Sequence, residues 1–320
     1  MKLATLLSTA WLLPIALGLF PANVRAADQV TEQVFASPEE AVNAFKAAVE
    51  SKDRAALDKL FGPGLHDLLT GDKVQDENNR RHFAAVLAEG CNPVNEGDDK
   101  ITLEIGTNNW PMPIPLVKAE GQWHFDTDAG KEEVINRHIG EDELCAIGVC
   151  RAYVTAQRQF ASQTQDAEGP QYARKFKSTP GKKDGLYWHA SDNEPASPFG
   201  PLVAEAHAEG YHHHRGTGPH PFHGYYFRIL TSQGDAAPGG KMNYLSHGNL
   251  MKGFALVAYP DRWDKSGIMT FIVDQDGKVY QRNLAENTDR IAGRMKEYNP
   301  DSNWTLVDDE GVTTAASEKE

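Results

Sequence analysis

The sequence predicts an α+β protein, in which helices and antiparallel strands occupy separate stretches of the chain. Residues 224–284 contain the runs GYYFRILTS, GFALVAYP and GIMTFIVDQDGKVYQ, which are rich in β-branched and aromatic residues and are separated by Gly, Pro and Asp. Such runs are typical of strands. Residues 141–162 instead repeat apolar side chains at steps of three and four, which is typical of a helix. We expect this helix to pack on the sheet.

The chain begins with the three parts of a secretory signal peptide. Lys2 supplies a basic start, residues 3–20 are mainly apolar, and the small-residue pattern Val24-x-Ala26 follows. We expect residues 1–26 to be a signal peptide that is cleaved near Ala26, and the mature protein to be periplasmic or secreted. The alternative is an uncleaved membrane anchor, although the apolar run is at the short end for a membrane span.

The net charge of the chain limits the classes of partner that it can bind. The full chain has a formal net charge of −13 at pH 7, from 32 Lys and Arg against 45 Asp and Glu. The predicted signal peptide contains two basic residues and no acidic one, so its removal makes the charge still more negative. A protein this acidic is a poor partner for nucleic acid or for anionic lipid. No later stretch is apolar enough to span a bilayer, so we expect the mature chain not to be an integral membrane protein.

Three cysteines, Cys91, Cys145 and Cys150, would lie in an oxidising compartment. Cys145 and Cys150 are five residues apart in a predicted helix, which places their Cα atoms beyond about 7 Å and strains a bridge between them. We therefore expect a disulfide between Cys91 and either Cys145 or Cys150. The remaining thiol is expected to be buried and inert.

Residues 27–138 are predicted to form a first α+β domain. The sequence Ser37-Pro38-Glu39-Glu40 has the pattern of a capping box with Pro at the first helical position, and Asp53 can cap a second helix. A third helix is predicted near residues 79–88. The runs ITLEIG, PMPIPLVKA and GQWHFDT follow as strands, and a hairpin at Glu120-Gly121 joins the last two.

The opening SPEEAVNAFKAAVESKDRAALDKLF resembles the helix, acidic turn and helix of the cystatin-like, nuclear-transport-factor-2-like superfamily. The resemblance covers about a third of the mature chain and implies a sheet that curves into a cone. Members with activity use an Asp or a His inside this cone. The nearest candidates in this chain are His66, Asp67, His124 and Asp126, whose alternative is a core or surface role because the sequence does not pair them for acid–base chemistry.

Residues 139–305 are predicted to form a second α+β domain, with the helix 141–162 followed by the antiparallel sheet. Glu141-Asp142-Glu143 would complement the helix dipole at its start. The run GFALVAYP is apolar at nearly every position and is predicted to be a strand covered on both faces. Asp276-Gly277 is predicted to be a hairpin turn. Residues 306–320 are predicted to be a disordered acidic tail.

The phrases TAQRQFAS, FALVAYP and GIMTFIVDQDGKVYQ resemble parts of the globular heads of type IV pilins and secretion pseudopilins. The resemblance implies a long helix packed on an antiparallel sheet in the second domain. Pilins begin with a continuous apolar helix that polymerises in a membrane, whereas Glu141 follows a whole domain. The resemblance therefore extends to the head and not to filament assembly.

Phrases in both halves, FKSTPGKKDGLYW, ASPFGPLVAEA, GYYFRILTSQG, APGG and GFALVAYP, resemble the bacterial exported family called domain of unknown function 2950. This resemblance covers nearly the whole mature chain. It implies an envelope protein without an established activity, so it assigns no catalytic residue.

One loop is unusually rich in histidine and is the candidate metal site. Its histidines are His207, His212, His213, His214, His220 and His223. Neutral imidazole is the commonest protein ligand of transition metals, and Zn, Cu or Ni would find several donors here. The alternative is a set of solvated histidines, since the spacing is loose and glycines interrupt it.

A second candidate site lies in a basic run. Its lysines are Lys175, Lys177, Lys182 and Lys183, and Tyr187 and Trp188 follow closely. Ammonium groups beside aromatic rings suit an anionic glycan or a phosphate. The alternative is a solvated loop that the two aromatic side chains anchor in the core.

The sequence contains no GxSxG, HExxH or CxxC motif. We therefore expect an exported, envelope-associated protein that acts by binding or assembly, with an envelope protein or a cell-surface component as its partner. Two alternatives remain. One is a periplasmic metal-binding protein that uses the loop 207–223, and the other is an enzyme that binds a small molecule in the cone of the first domain.

Overall fold

A computed structural model describes residues 32–164, 169–191, 194–211 and 220–308 of the chain, which form an α+β fold as predicted. The predicted signal peptide and residues 309–320 lie outside the described residues. The helices are α1 (Pro38–Glu50), α2 (Arg54–Phe61), α3 (Lys73–Glu89), α4 (Thr127–Gln163), α5 (Gly200–Glu209) and α6 (Thr288–Ala292), with 3-10 helices at Gly62–Leu68 and Ala285–Asn287. Among these helices, none has a stretch that is long and apolar enough to cross a membrane.

The strands are short throughout the described chain, and each has between two and six residues. They are β1 (Cys91–Asn95), β2 (Lys100–Ile105), β3 (Trp110–Pro111), β4 (Leu116–Ala119), β5 (Gln122–Phe125), β6 (Tyr225–Leu230), β7 (Ser232–Gln233), β8 (Met242–Asn243), β9 (Leu245–Ser246), β10 (Asn249–Leu250), β11 (Ala255–Pro260), β12 (Met269–Asp274), β13 (Tyr280–Asn283), β14 (Glu297–Tyr298) and β15 (Thr305–Leu306).

The first core lies between the helices α1–α3 and an antiparallel sheet of order β1-β2-β4-β5, with β3 paired to β2. The predicted caps are present. Ser37 Oγ accepts a hydrogen bond from Glu40 N–H (3.3 Å), and Asp53 Oδ1 accepts one from Ala56 N–H (3.1 Å). The predicted hairpin at Glu120-Gly121 joins β4 to β5. Each of these local predictions depends on neighbours in sequence, and each is confirmed.

The second sheet is antiparallel and has the strand order β15-β13-β12-β11-β6. Every residue of β11 is buried, and this strand is flanked by β6 and β12, so the prediction of a strand covered on both faces is confirmed. Leu256 and Ala258 face α4 in the second core. Ala255 and Val257 face the opposite way, into a third core that contains Tyr244.

Two helices start earlier than predicted. Helix α3 begins at Lys73 because the Asp72 carboxylate accepts hydrogen bonds from backbone N–H groups of its first turn. Helix α4 begins at Thr127, where Asp126 is the cap. The acidic triplet 141–143 therefore lies in the middle of α4, and its predicted role at a helix start is wrong.

The predicted domain boundary between residues 138 and 139 falls inside α4. Val134 packs against the first core, whereas the residues from Ala146 onward belong to the second core. One continuous helix of 37 residues therefore contributes to both cores.

The chain stays in the second sheet beyond residue 305. Leu306 pairs with Tyr280 of β13, and Val307 N–H donates to the Val279 carbonyl (2.9 Å). The prediction of disorder from residue 306 is wrong for Leu306 and Val307, because these residues pair with backbone groups at the edge of the second sheet.

Helix α4 closely approaches the segment between β3 and β4 at Gly130. A Cβ atom at this position would lie 2.7 Å from the Pro113 carbonyl oxygen and 2.8 Å from Ile114 Cα. Any side chain would therefore push the helix away from the backbone of this segment. In contrast, a Cβ atom at Gly148 of the same helix would meet nothing within 4 Å.

We predict that Gly130→Ala lowers the free energy of unfolding by about 1–3 kcal/mol, because the added methyl group overpacks the contact with residues 113–114. Gly148→Ala is the matched control and should raise it by about 0.5–1 kcal/mol through helix propensity alone. Urea denaturation of both variants measures the difference. Equal effects of the two substitutions would contradict the close approach at Gly130.

Candidate functional site

An open cavity of about 530 Å³ lies among residues 177–194 and is called here the lysine groove. The charged and aromatic side chains that line it are Lys177, Lys182, Lys183, Tyr187, Trp188, His189 and Glu194. Tyr187 and Trp188 also pack against the second core, which fixes their positions. The structure thus brings together most of the basic run and both aromatic residues that the sequence singles out.

Local hydrogen bonds build the rim of the lysine groove. Ser178 N–H donates to the Tyr187 carbonyl (2.8 Å), and Ser178 Oγ accepts a hydrogen bond from Gly185 N–H (3.0 Å). The Asp184 carboxylate accepts hydrogen bonds from Thr179 N–H (2.8 Å) and from Lys175 Nζ (2.8 Å). Because these groups are engaged with each other, the rim has a defined backbone path. Lys175 therefore supports the rim and does not line the groove.

The lysine groove keeps a positive charge. The hydrogen bond from Lys175 holds the pKa of the Asp184 carboxyl well below its usual range, so this carboxylate stays ionised beside Lys175. Lys183 Nζ lies 3.6 Å from Glu194 Oε1 and 5.5 Å from the centre of the Trp188 ring. Lys177 and Lys182 are exposed, and neither has an ion-pair partner within the described ranges. These two ammonium groups are available to an anion.

The combination of groups in the lysine groove suits a saccharide that carries an anionic group. Aromatic rings offer an apolar surface for the C–H face of a sugar, and the ammonium groups can donate to a carboxylate or a phosphate. The volume falls within the usual range for small-ligand sites. The Ser178 hydroxyl is bonded to the Gly185 backbone and is not placed as a nucleophile.

The predicted metal ligands lie only partly in the described chain. His212, His213 and His214 lie outside it, whereas His207 is on α5 and His220 and His223 follow the loop. The structure groups no three His, Cys, Asp or Glu side chains that could hold a metal ion in the ranges it describes. The predicted Zn, Cu or Ni site therefore stays a prediction.

The two ends of the histidine-rich loop are held together. His223 Nε2 lies 2.7 Å from Glu209 Oε2, and the His223 and Tyr211 rings are 5.4 Å apart between their centres. Tyr211 in turn donates a hydrogen bond to Asp72 Oδ2 of the α3 cap (2.8 Å). The loop therefore starts and finishes at one place, close to the start of α3.

The four candidates for a cone site have separate structural surroundings. Asp67 forms an ion pair with Lys131, Asp126 caps α4, and the exposed His66 lies 3.7 Å from Asp58.

The fourth candidate, His124, is half-buried. Its Nε2 lies 3.9 Å from Glu32 Oε2, and burial raises the pKa of Glu32. Within the described ranges, no hydrogen bond joins any two of the four candidates. The enzyme alternative stays a prediction.

The three cysteines are free and separate. Cys91 packs against the first core, whereas Cys150 is in the second core, so the structure does not form the predicted disulfide of Cys91 with Cys145 or Cys150. Burial raises the pKa of both Cys145 and Cys150 to about 12. These thiols are therefore protonated at neutral pH and poor nucleophiles.

A buried carboxyl lies where α3, α4 and the start of β6 meet. Asp142 is fully buried in the middle of α4, and its Oδ1 accepts a hydrogen bond from Gln75 Nε2 of α3. Its Oδ2 has no hydrogen-bond partner among the described residues and faces Gly224, where a Cβ atom would lie 2.7 Å away. This contact joins the first half of the chain to the residue that follows His223.

The sequence does not distinguish Asp142 from Glu141 and Glu143. Its burial depends on Gln75, which is 67 residues away, and no periodicity indicates this contact. Burial, with the nearby charges of Glu141 and Asp72, raises the pKa of Asp142 to about 8, although the hydrogen bond from Gln75 acts in the opposite direction. At neutral pH the neutral carboxyl is the favoured form.

The raised pKa of Asp142 makes stability depend on pH. In the unfolded chain an aspartate ionises near pH 4, so between about pH 4 and pH 8 the unfolded state has lost a proton that the folded state keeps. The free energy of unfolding therefore falls as the pH rises through this window, by up to about 1.4 kcal/mol per pH unit from this group.

We predict that Asp142→Asn removes this contribution, because the amide keeps an acceptor for Gln75 and cannot ionise. The free energy of unfolding of the variant should exceed that of the wild type by an amount that grows from pH 5 to pH 8. Glu132→Gln on the exposed side of α4 makes the same replacement of a carboxyl by an amide and should show no such growth. A constant difference between Asp142→Asn and the wild type across this range would contradict the neutral carboxyl.

One of the comparisons with known proteins identifies a family. A family model described as "Protein of unknown function (DUF2950)" matches residues 32–307. The searches of curated proteins and of solved structures give no significant match. The matched range includes the lysine groove, the histidine-rich loop and Asp142. The chain therefore belongs to the family of proteins of unknown function DUF2950.

Proposed function

We propose that the protein is an exported, envelope-associated binding protein that holds an anionic glycan in the lysine groove. The observation that carries this proposal is the juxtaposition of Lys177 and Lys182, which lack ion-pair partners in the described chain, with the rings of Tyr187 and Trp188. Export after cleavage near Ala26 would place the groove in the periplasm or outside the cell, where acidic polysaccharides of the envelope occur.

The ion pairs around the lysine groove support its interpretation as a binding site and not as a chance cluster of lysines. Asp184 pairs with Lys175, which lies outside the groove lining, and so does not neutralise Lys177 or Lys182. Glu194 pairs with Lys183, which also lies over the Trp188 ring, and so leaves Lys177 and Lys182 without a carboxylate partner in the described chain. A ligand that supplied a carboxylate or a phosphate would form charge-assisted hydrogen bonds with ammonium groups that now contact only solvent.

The proposed architecture has two domains, at residues 27–138 and 139–305. A cystatin-like first domain is supported by the packing of α1–α3 on the sheet β1–β5. A second domain like a pilin head is supported by the position of α4 across one face of the second sheet. In this arrangement α4 is shared, and the lysine groove belongs to the second domain.

We predict that the mature chain binds an oligogalacturonate more tightly than a neutral maltodextrin of similar length. Lys177→Gln with Lys182→Gln should weaken oligogalacturonate binding by about tenfold or more, since two charge-assisted hydrogen bonds are lost. Isothermal titration calorimetry measures both affinities.

The matched control is Lys252→Gln with Lys278→Gln, which removes the same charge from exposed positions outside the groove. It should leave the affinity within about twofold of the wild type, because distant exposed charges are screened by salt. Equal losses in the two double variants, or equal affinity for the acidic and the neutral oligosaccharide, would count against the groove as the binding site.

A second proposed function is metal binding by the histidine-rich loop. The contact between Glu209 and His223 supports it, because closed loop ends lower the entropy cost of gathering the histidines between them. Imidazoles of the loop would bind Zn, Cu or Ni, and a carboxylate beside one imidazole is the usual arrangement that orients a metal-binding histidine.

We predict that the mature chain binds at least one of Zn, Cu and Ni with a dissociation constant below about 1 μM, which is roughly −8 kcal/mol. Replacing His212, His213 and His214 with Ala should abolish this binding in calorimetry. The control replaces His66, His189 and His247, three exposed histidines elsewhere in the chain, and should retain it. Weaker binding to all three metals would end this proposal.

A further inference from the structure

A second open cavity, of about 680 Å³, lies on the other side of the second sheet from the lysine groove. It is called here the basic cleft, and its cations are Lys241, Arg294 and Lys296. Met242, Leu245 and Met295 line it and pack against the third core, whereas the lysine groove packs against the second. Because these two cores cover opposite faces of β11, the basic cleft and the lysine groove are separate sites.

A buried glutamine fixes one wall of the basic cleft. Gln233 is fully buried, and its Nε2 donates hydrogen bonds to the Pro238 and Gly240 carbonyls, both at 2.7 Å. Its Oε1 accepts a hydrogen bond from Tyr244 Oη (2.8 Å). The backbone immediately before Lys241 is therefore held from inside the protein.

An arginine fixes the opposite wall. The Arg228 guanidinium donates to the carbonyls of Ala292 (3.3 Å), Gly293 (2.7 Å) and Met295. These carbonyls lie on both sides of Arg294, and that of Met295 directly precedes Lys296. Arg228 thus orients the segment that presents Arg294 and Lys296, and it acts as a positioning residue behind the cleft.

The cations of the basic cleft are not neutralised within the described chain. Lys241, Arg294 and Lys296 are exposed and form no ion pair there, and Glu297 is the one carboxylate among the residues that line the cleft. Three like charges on two fixed walls repel each other, and this is unfavourable unless a counter-charge joins them. The surrounding protein is strongly acidic, so the cleft is a local reversal of its charge.

The side chains of the basic cleft select a different ligand from that of the lysine groove. The cleft has no aromatic ring in its lining, so it lacks the flat apolar surface on which a sugar would stack. An arginine fork between two lysines instead matches the tetrahedral oxygens of phosphate. The cavity volume of about 680 Å³ exceeds that of one phosphate group and leaves room for several.

We propose that the basic cleft is a binding site for a soluble ligand that carries several phosphate groups in a chain. Arg294 would donate two parallel hydrogen bonds to one phosphate, while Lys241 and Lys296 contact its neighbours from the two walls. A flat anionic membrane is the less favoured source of phosphate, because the negative charge of the rest of the protein would be repelled by it.

The test is calorimetric titration of the mature full-length chain with inorganic tripolyphosphate and with inorganic phosphate. Tripolyphosphate should bind more tightly than phosphate, because it reaches more than one cation at once. The triple variant Lys241→Gln, Arg294→Gln, Lys296→Gln should lose about tenfold or more of the affinity for tripolyphosphate.

The matched control is Lys252→Gln, Lys278→Gln, Arg290→Gln, which removes the same charge outside the cleft and should bind tripolyphosphate as the wild type does, within about twofold. Thermal unfolding of each variant verifies that the substitutions leave the fold intact. Equal losses in the two triple variants would overturn the proposal, as would the absence of tripolyphosphate binding by the wild type.

Two further measurements distinguish a soluble phosphate ligand from a lipid headgroup, and the basic cleft from the lysine groove. Binding to phosphatidylglycerol vesicles without binding to tripolyphosphate would overturn the soluble ligand in favour of a lipid headgroup. The Lys177→Gln, Lys182→Gln variant should retain tripolyphosphate binding, and its loss there would assign the phosphate to the lysine groove instead. Because the oligogalacturonate titration uses other variants, failure of either proposal leaves the other measurable.

Discussion

The complete burial of β11 is the constraint on which the second half of the structure depends. A strand without a polar face must be covered twice, and the chain meets this need with α4 on one side and the segments around Tyr244 and Tyr298 on the other. Each of these two coverings is packed against a loop region that forms a candidate site. The lysine groove is anchored in the core below α4, and the basic cleft is anchored in the core on the opposite face, so the two sites owe their separation to one apolar strand.

The sequence predicts best those features whose causes are local. The caps at Ser37 and Asp53, the turn at Gly277 and the apolar character of β11 each follow from residues that are adjacent in the chain, and all are present. The start of α4 differs from the predicted one for the same reason. The acidic triplet 141–143 has the composition of a helix start, but Asp126 is the cap, and only the packing of residues 127–138 on the first core reveals this.

The candidate sites also differ in whether their residues are close together in the sequence. The lysines and aromatic residues of the lysine groove are neighbours in sequence, so composition alone indicated them. The basic cleft joins Lys241 to Arg294 and Lys296 through the pairing of β7 with both β8 and β14, and the sequence carries no periodic signal for this. Asp142 likewise becomes buried only through contact with Gln75, and Gly224 leaves room for its second oxygen.

Because α4 is one continuous helix, the number of residues between the two cores cannot change without a change in how they are aligned. One residue inserted or deleted between Ile139 and Asp142 would rotate everything beyond it by about 100° and shift it by about 1.5 Å. Gln75 would then face a different side chain, and the apolar face of α4 would no longer meet the second sheet. Homologous chains should therefore vary in length at loops and keep a fixed number of residues in this helix. The length of α4 thus determines how the two halves of the chain are aligned.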